Sequence, residues 1–449
     1  MRTVINHGLL VDPGSRICSR LHLAMENGKI GAVSPVPLEG DLVIDASGLV
    51  VTPGFVDIHM HEGEIDSRSG LVDASIFECM LRMGVTTAVG GNCGQGPADP
   101  EGYFALLEAH GCPVNLALLA PHESMRAEAG RKDGYAQAGP EELKRLYILA
   151  RRLLDGGCPG ISLGVRYVPG MNQAELETLA RAAAEGKGIL SAHVRDDAGG
   201  VLAAMEEIAA LGRRFAVPVQ ISHLGSMAAY GQMEEALSYL DAQASAGLDI
   251  LADCYPYAAF STGIGRATYD DGFLQRYGMG YEAIEVAEGP WKGRRCTEEM
   301  FRHLRQNAPE TLTVGHFMRQ EEVDLALAHP KVLTASDGLM RRGQGHPRAA
   351  GTFPRVLARV REQKSFSLYE AVGKMTWRNA RHLRLPKGRL AVGDDADVAV
   401  WDSETIMDQA TFAAPDTAPA GIRHIFVGGK MALENGEIKG RFGRPVRAV

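Results

Sequence analysis

Two histidines, His59 and His61, stand two residues apart at the end of the apolar run 53–58. If this run is a β-strand, alternate side chains share one face, so both imidazoles point the same way from its C-terminal end. Two imidazoles placed in this way can bind one metal ion, although an isolated His-x-His pair is about as often one core and one exposed histidine. The Pro-Gly start and polar end are typical of the first strand of a parallel sheet. Because α/β barrels carry their chemistry at the C-terminal edge, this position favours a metal site.

Four further side chains that can bind a metal stand at the ends of other predicted strands. Cys93 is flanked by glycines; a free cysteine is usually a small buried apolar residue, but a thiolate at a strand end would be a strong zinc ligand. His193 and His223 each close an apolar run, and two such histidines in succession are less readily explained as core residues. Asp337 closes the last predicted strand, where an Asp-Gly pair is otherwise a common turn or helix cap.

The segments that must position these side chains alternate between strand-like and helix-like patterns, as in a parallel sheet with crossover helices. Segments 141–150 and 174–184 carry apolar residues at helical spacing. Eight strands with intervening helices predict an α/β fold, a (β/α)8 TIM-like barrel over residues 53–385. The predicted strands are 54–59, 85–91, 114–119, 159–164, 188–193, 217–223, 248–254 and 331–336.

Both ends of the chain have short alternating runs broken by Gly, Asp and Asn, which indicates β-structure. Neither end alone buries much apolar surface, so we expect residues 1–52 and 386–449 to pair in one small β-sandwich domain. The long connection after the seventh strand, about 257–310, is rich in Gly, Tyr and Arg. Long loops inside compact domains are usually functional, so we interpret this segment as an irregular lid over the barrel mouth.

Composition excludes several classes of partner. The 449 residues are 45% hydrophobic and 23% charged, with a net charge of −8, which is ordinary for a globular protein and offers no basic surface to nucleic acid or anionic lipid. No secretory signal or membrane-length apolar stretch is present. Seven cysteines without tight spacing fit a reducing compartment. We therefore expect a cytoplasmic enzyme with neither a membrane nor a nucleic-acid partner.

These residues resemble the amidohydrolase superfamily of metal-dependent hydrolases, and within it the zinc-dependent N-acyl-D-amino-acid deacylases, or D-aminoacylases. The resemblance covers most of the chain and implies a small β-domain built from both ends. It implies that Cys93, His193 and His223 form a tight zinc site, with His59 and His61 available for a second zinc. Asp337 would be the general base and acid as well as a metal contact. The fourth strand lacks the lysine that many other amidohydrolases carboxylate, which supports the cysteine variant.

The resemblance also implies contacts to a small N-acyl amino acid substrate. Its α-carboxylate needs a guanidinium and hydroxyl donors, and the expected residues are Tyr167, Ser261 and Arg266. Arg348, in a His-Pro-Arg segment before Gly-Thr-Phe-Pro-Arg, and Arg195, after the fifth strand, are further expected contacts.

The chain departs from the family pattern in three places: two near the site, and a lid that is shorter than the resemblance leads us to expect, followed by an additional histidine, His316, near the barrel. Glu62 follows the second histidine where the deacylases usually have aspartate, and Leu224-Gly225-Ser226 follows His223 without the usual His-Lys pair. Two alternatives stay open. One is a hydrolase that uses the same metal site on a cyclic amide, like dihydroorotases and hydantoinases, or on another small amide. The other is a non-catalytic barrel whose histidines bind metal only structurally or sense a ligand. One or two zinc ions per chain, the substrate side chain and a homo-oligomeric state are also open.

Overall fold

Eight parallel strands form a ring in the middle of the protein, in a computed structural model that describes residues 1–449. The first three strands pair in one sheet, and the continuation of the third, Ala120–Pro121, begins a second sheet that contains the other five. The ring closes where Met60 pairs in parallel with Gly338. The predicted barrel is therefore confirmed. Its strands are Phe55–Asp57, Val85–Gly90, Asn115–Leu118, Gly160–Gly164, Ile189–His193, Val219–Ile221, Ile250–Cys254 and Val332–Thr334.

Helices lie between the barrel strands and cover the outside of the ring. Several begin where the sequence supplies a cap: the Asn172 side chain accepts a hydrogen bond from the Glu175 backbone N–H, which typically stabilises a helix by about 1 kcal/mol. No helix is both long and apolar enough to cross a membrane. The helices are Ser75–Arg82, Pro100–His110, His122–Glu128, Pro140–Asp155, Gln173–Glu185, Val201–Phe215, Leu224–Ala228, Met233–Ser245, Gln320–Ala328, Arg348–Gln363, Leu368–Met375 and Trp377–His382.

Strands from both ends of the chain share one nine-stranded sheet. The long first strand, Arg2–Asp12, pairs in parallel with Leu42–Asp45 along one half and Val50–Pro53 along the other, and Val50–Pro53 in turn pairs with a strand from the C-terminal segment. A separate small core contains apolar side chains from both ends. The remaining strands are Ile17–Glu26, Lys29–Ser34, Val398–Trp401, Ile422–Val427, Lys430–Glu434 and Glu437–Ile438.

The lid segment, residues 257–310, is more ordered than the expected irregular loop. Its strands Phe260–Gly263 and Ile284–Val286 flank Leu312–Gly315 in a three-stranded antiparallel sheet. Two helices, Phe273–Tyr277 and Glu298–Asn307, complete the segment. The sequence did not predict these strands and helices because Gly and charged residues interrupt each short apolar run. The aromatic side chains that stabilise the segment pack in pairs that are far apart in the chain, such as Phe260 with Phe317 and Tyr269 with Phe301.

Candidate metal centre and substrate cleft

Four side chains from separate strands converge at the C-terminal rim of the barrel. One ligand atom from each of His59, Cys93, His223 and Asp337 lies within 4.8 Å of all the others, and the four residues are buried. The Cys93 sulfur is central, 3.3 Å from both the His59 Nε2 and the His223 Nε2 atoms. An Asp337 carboxylate oxygen lies 3.4 Å from His59 Nε2. The arrangement brings one sulfur, two imidazoles and one carboxylate around a single point.

The other two predicted metal ligands lie beside this cluster. His61 Nε2 is 3.1 Å from Asp337 Oδ1, and the His193 ring centroid is 4.5 Å from that of His223. His193 is buried, and its Nδ1 atom has no hydrogen-bond partner. The structure thus brings all six residues that the sequence singled out to one rim.

Three of the six residues adopt a left-handed backbone conformation that non-glycine residues rarely take. The φ angles of Cys93, His223 and Asp337 are 53°, 35° and 47°. Gly91 and Gly94 around Cys93 also have positive φ, which explains the glycines that the sequence places there. Backbone strain of this kind concentrates at functional sites, where it aims side chains that a regular strand could not.

Neighbouring groups of opposite charge in the cluster shift one another's pKa values towards the charged forms. Burial alone would raise the pKa of the Cys93 thiol, but His59 and His223 hold it well below its usual value. Burial would lower the pKa of His59, yet Asp253 and Cys93 raise it well above the ordinary value. Burial would also raise the pKa of Asp337, but Arg348 and His223 keep it well below the normal range. The site therefore favours thiolate and carboxylate forms.

This donor set fits a zinc ion. Thiolate sulfur, imidazole nitrogen and carboxylate oxygen are the ligand types that zinc takes in proteins. The donor atoms crowd together in a buried place where the anionic forms of Cys93 and Asp337 are favoured, and bound metal requires those deprotonated forms. The chemistry of the residues and their spacing thus agree with the zinc that the sequence predicts.

Asp253, at the end of the seventh strand, orients two of the histidines and was not identified from the sequence. The His59 Nδ1–H donates to its Oδ2 atom at 3.2 Å, and the His223 backbone N–H donates to its Oδ1 atom at 2.8 Å. Gln220 donates to the same carboxylate. Because Nδ1 of His59 is engaged, Nε2 faces the cluster, as is usual for metal-binding histidines. The position of Asp253 at the end of the seventh strand is the sequence feature that could have indicated a role at this rim.

Arg348 holds the carboxylate of Asp337. Its Nη1 atom lies 2.8 Å from Asp337 Oδ2, and its guanidinium lies 4.6 Å from the centre of the Tyr255 ring. The arginine is 2% exposed. Arg348 therefore lines the cleft, as expected, but its charge is directed to the aspartate.

A cleft of about 350 Å³ opens beside the cluster. Tyr167, Ser261 and Arg266 line it together with His61 and Arg348. Arg266 lies over the Tyr167 ring, 5.6 Å from its centre, and pairs with Glu123 at 3.2 Å. The structure thus brings the three residues expected to contact the carboxylate to the lining of this cleft.

Two other residues from the sequence analysis have defined places. The Arg195 guanidinium donates to the Glu207 carboxylate and to a backbone carbonyl oxygen, and the residue does not line the cleft. The structure therefore does not bring Arg195 to the substrate-facing wall. Glu62 lines the cleft and accepts a hydrogen bond from the Gly91 backbone N–H at 2.7 Å, so it supports the glycine turn before Cys93.

Comparison with known proteins places these features in a family. The model of the amidohydrolase family matches residues 42–253 and 96–432. The chain is 33% identical to the N-acyl-D-glutamate deacylase of Alcaligenes xylosoxydans xylosoxydans, over 93% of this chain and 90% of that protein. It is 32% identical to the D-aminoacylase of the same organism, over 94% and 92% respectively.

A solved structure gives the same result in three dimensions. The N-acyl-D-glutamate deacylase of Bordetella bronchiseptica, complexed with zinc and a phosphonate mimic of the tetrahedral reaction intermediate, superposes with a TM-score of 0.88. The identity is 30%, and 99% of each chain is covered. From these matches and the site geometry, the chain belongs to the amidohydrolase family.

Proposed function

We propose that this protein is a zinc-dependent enzyme that hydrolyses the amide bond of N-acyl-D-amino acids to a carboxylic acid and a free D-amino acid. The observation that carries the proposal is the clustering of Cys93, His59, His223 and Asp337 beside a cleft whose wall contains an arginine and hydroxyl groups. Relatives of 32% and 33% identity over almost the whole chain are D-aminoacylase and N-acyl-D-glutamate deacylase, which supports the linear amide and the D configuration.

Cys93, His193 and His223 would hold one zinc ion, and His59, His61 and Asp337 would hold a second or contact the first; the proximity of these side chains supports both assignments. When bound, zinc supplies a Lewis acid that lowers the pKa of a water molecule towards about 7 and polarises the amide carbonyl. The central place of the Cys93 sulfur, equally far from His59 and His223, allows either one or two ions per chain.

Asp337 would act as the proton carrier. Its ion pair with Arg348 and its contact with His61 keep it ionised, so it can accept a proton from the attacking water and later give it to the departing amine. The Arg348 guanidinium fixes one carboxylate oxygen and leaves Oδ1 directed towards the histidines. Held in this way, the carboxylate needs little reorganisation during the reaction.

Arg266, Tyr167 and Ser261 would recognise the substrate's α-carboxylate. A guanidinium and two hydroxyl groups in the lining of the cleft match the acceptors of a carboxylate. All seven cysteines are outside disulfide bonds, which fits a reducing compartment, so we place the enzyme in the cytoplasm.

The test is a chiral panel of N-acetyl amino acids, with zinc measured on the same sample. We expect release of free amino acid from D substrates, and loss of turnover when a chelator removes zinc. Hydantoins and dihydropyrimidines in the same assay test the cyclic-amide alternative. Turnover of cyclic amides alone, or undiminished turnover without metal, would contradict the proposal.

A further inference from the structure

A second cavity lies at the opposite end of the barrel from the metal cluster. It measures about 520 Å³ and is formed where the fifth, sixth and seventh strands begin, near Ile189, Pro218 and Leu251. The helix Trp377–His382 forms the other wall. The residues of the predicted catalytic site stand at the far ends of these same strands. We call this space the basal cavity; it is separate from the cleft and serves no step of the proposed reaction.

The basal cavity concentrates positive charge in a protein whose net charge is −8. Its lining contains Lys187, Arg378, Arg381 and Arg384, against one carboxylate, Asp249. None of these four cations forms an ion pair. The nearby Lys387 and Arg389, which do not line the cavity, each pair with aspartate. Most arginines of this chain form an ion pair with a carboxylate. The absence of ion pairs among the four cations therefore distinguishes the basal cavity from the rest of the protein.

Two of the cations stand at backbone positions that normally favour glycine. Lys187 and Arg384 follow the ends of the helices Gln173–Glu185 and Trp377–His382, with φ angles of 55° and 51°. A left-handed residue after a helix is most often glycine, because other residues are strained there. Cations near a helix C-terminus interact favourably with its dipole, but that effect alone does not explain why both side chains line the same cavity.

The other cavity residues present further groups for an anion. The Arg381 guanidinium lies over the Trp377 ring, 5.2 Å from its centre, which fixes its orientation at the cavity wall. Arg378 donates to the Pro330 carbonyl oxygen and so has further N–H groups without a partner. His382 contributes a buried Nε2 atom that has no hydrogen-bond partner.

A buried lysine, Lys374, lies close to Arg378. Lys374 is fully buried and donates to two backbone carbonyl oxygens, without a carboxylate partner. Burial, and then the charge of Arg378, lower its pKa to about 7. Lys374 therefore adds a further buried amine without an ion-pair partner to this end of the barrel.

We propose that the basal cavity binds a small organic anion with at least two negative charges, a phosphate monoester or a dicarboxylate. Four cations around one space match such a dianion better than a single carboxylate, and arginine forks match the oxygen geometry of both groups. A volume of about 520 Å³ exceeds what an inorganic ion needs and lies within the range of small-molecule sites. The site is independent of the proposed hydrolysis.

Calorimetric titration of the zinc-loaded protein with inorganic phosphate, succinate and acetate at equal ionic strength tests the proposal. We expect phosphate, succinate or both to bind at least tenfold more tightly than acetate. If only phosphate binds tightly, the ligand class is a phosphate monoester. If only succinate binds tightly, the ligand class is a dicarboxylate. Equal and weak binding of all three anions would overturn the proposal.

Variants locate the binding. Arg381→Gln/Arg384→Gln should weaken dianion binding at least tenfold. Lys187→Gln, which changes the opposite wall of the cavity after the helix Gln173–Glu185, should weaken it by a smaller factor and is the test to use if the double variant does not fold. Lys364→Gln is the matched control, because Lys364 also follows a helix with a φ of 53° but lies outside the cavity. Unchanged binding in both cavity variants, or loss of binding in Arg266→Gln instead, would place the anion in the cleft and refute the site.

Discussion

The two ends of the barrel differ in whether their charged side chains have partners of opposite charge. At the C-terminal end the buried ionisable groups compensate one another: Asp337 pairs with Arg348, and Asp253 holds His59. At the N-terminal end, Arg381 and Arg384 line the basal cavity without an ion-pair partner, and the buried ammonium group of Lys374 donates to two carbonyl oxygens and lies over the Phe366 ring. The same eight strands connect both ends, so the contrast comes from the side chains at their tips.

The contrast separates two ways in which charge is used. Paired charges in a buried place keep fixed positions and protonation states, which proton transfer and metal binding require. Unpaired charges at a cavity keep their attraction for a ligand that the chain does not supply. Substitutions at the compensated end should therefore have the larger effects on the enzyme, and substitutions at the uncompensated end the smaller ones.

The largest effect is expected from Asp337→Asn. The amide keeps the shape of the side chain but cannot accept the proton of the attacking water, so turnover should fall about 10³-fold. Release of free amino acid measures the loss, and zinc content on the same sample separates proton transfer from metal loss. The control Asp394→Asn removes an aspartate that pairs with Arg389 in the terminal domain. Turnover within tenfold of the parent enzyme, with zinc retained, would contradict the role of Asp337.

Asp253→Asn should weaken zinc binding by about 10–100-fold, as loss of a carboxylate behind a metal-binding histidine usually does. The carboxylate fixes Nδ1 of His59 and the backbone of His223. Competition with a chromophoric chelator measures the affinity. Asp249→Asn is the matched control. Asp249 directly precedes the same strand, Ile250–Cys254, and is exposed at the end of the barrel opposite the metal cluster. Equal zinc affinity in the two variants would refute this role of Asp253.

Arg266→Gln should raise KM for N-acyl-D-amino acids about 10–50-fold with a smaller change in kcat, because a charged hydrogen bond to the α-carboxylate is lost. Substrates whose carboxylate is replaced by a carboxamide should not distinguish the variant from the parent. Arg195→Gln is the control, since Arg195 pairs with Glu207 away from the cleft. A matching rise in KM for both variants, or for the carboxamide, would show that Arg266 does not bind the carboxylate.

The smallest effect concerns stability at the N-terminal end. The pKa of Lys374 is lowered from 10.5 to about 7, so between these values the unfolded chain binds a proton that the folded protein does not. The free energy of unfolding therefore rises with pH in this window, by about 2 kcal/mol between pH 7 and 9 from this group.

Lys374→Met removes the titrating group, so this part of the pH dependence should disappear. Urea unfolding at pH 7 and pH 9, for the parent and the variant, measures the difference. The same pH dependence in both proteins would show that Lys374 is charged in the folded state.

Much of the fold and of the metal centre could be predicted because each depends on local sequence. Apolar runs closed by His193, His223 and Asp337 identify both a strand and the rim to which its last side chain belongs. Asp253 also closes a strand, but its role depends on which histidines lie beside it in space. Arg195 directly follows the fifth strand, yet its side chain turns to Glu207 on the following helix, and local spacing carries no information about that choice.

The sequence by itself determined the alternation of strands and helices, the rim at which the metal-binding residues meet, and the chemical type of the donors, because periodicity and strand ends are properties of neighbouring residues. Only the tertiary structure decided the ordered sheet in the lid segment, the pairing of Arg348 with Asp337 and the group of unpaired cations around the basal cavity. These features arise from contacts between side chains far apart in the chain, and such contacts exist only once the barrel has closed.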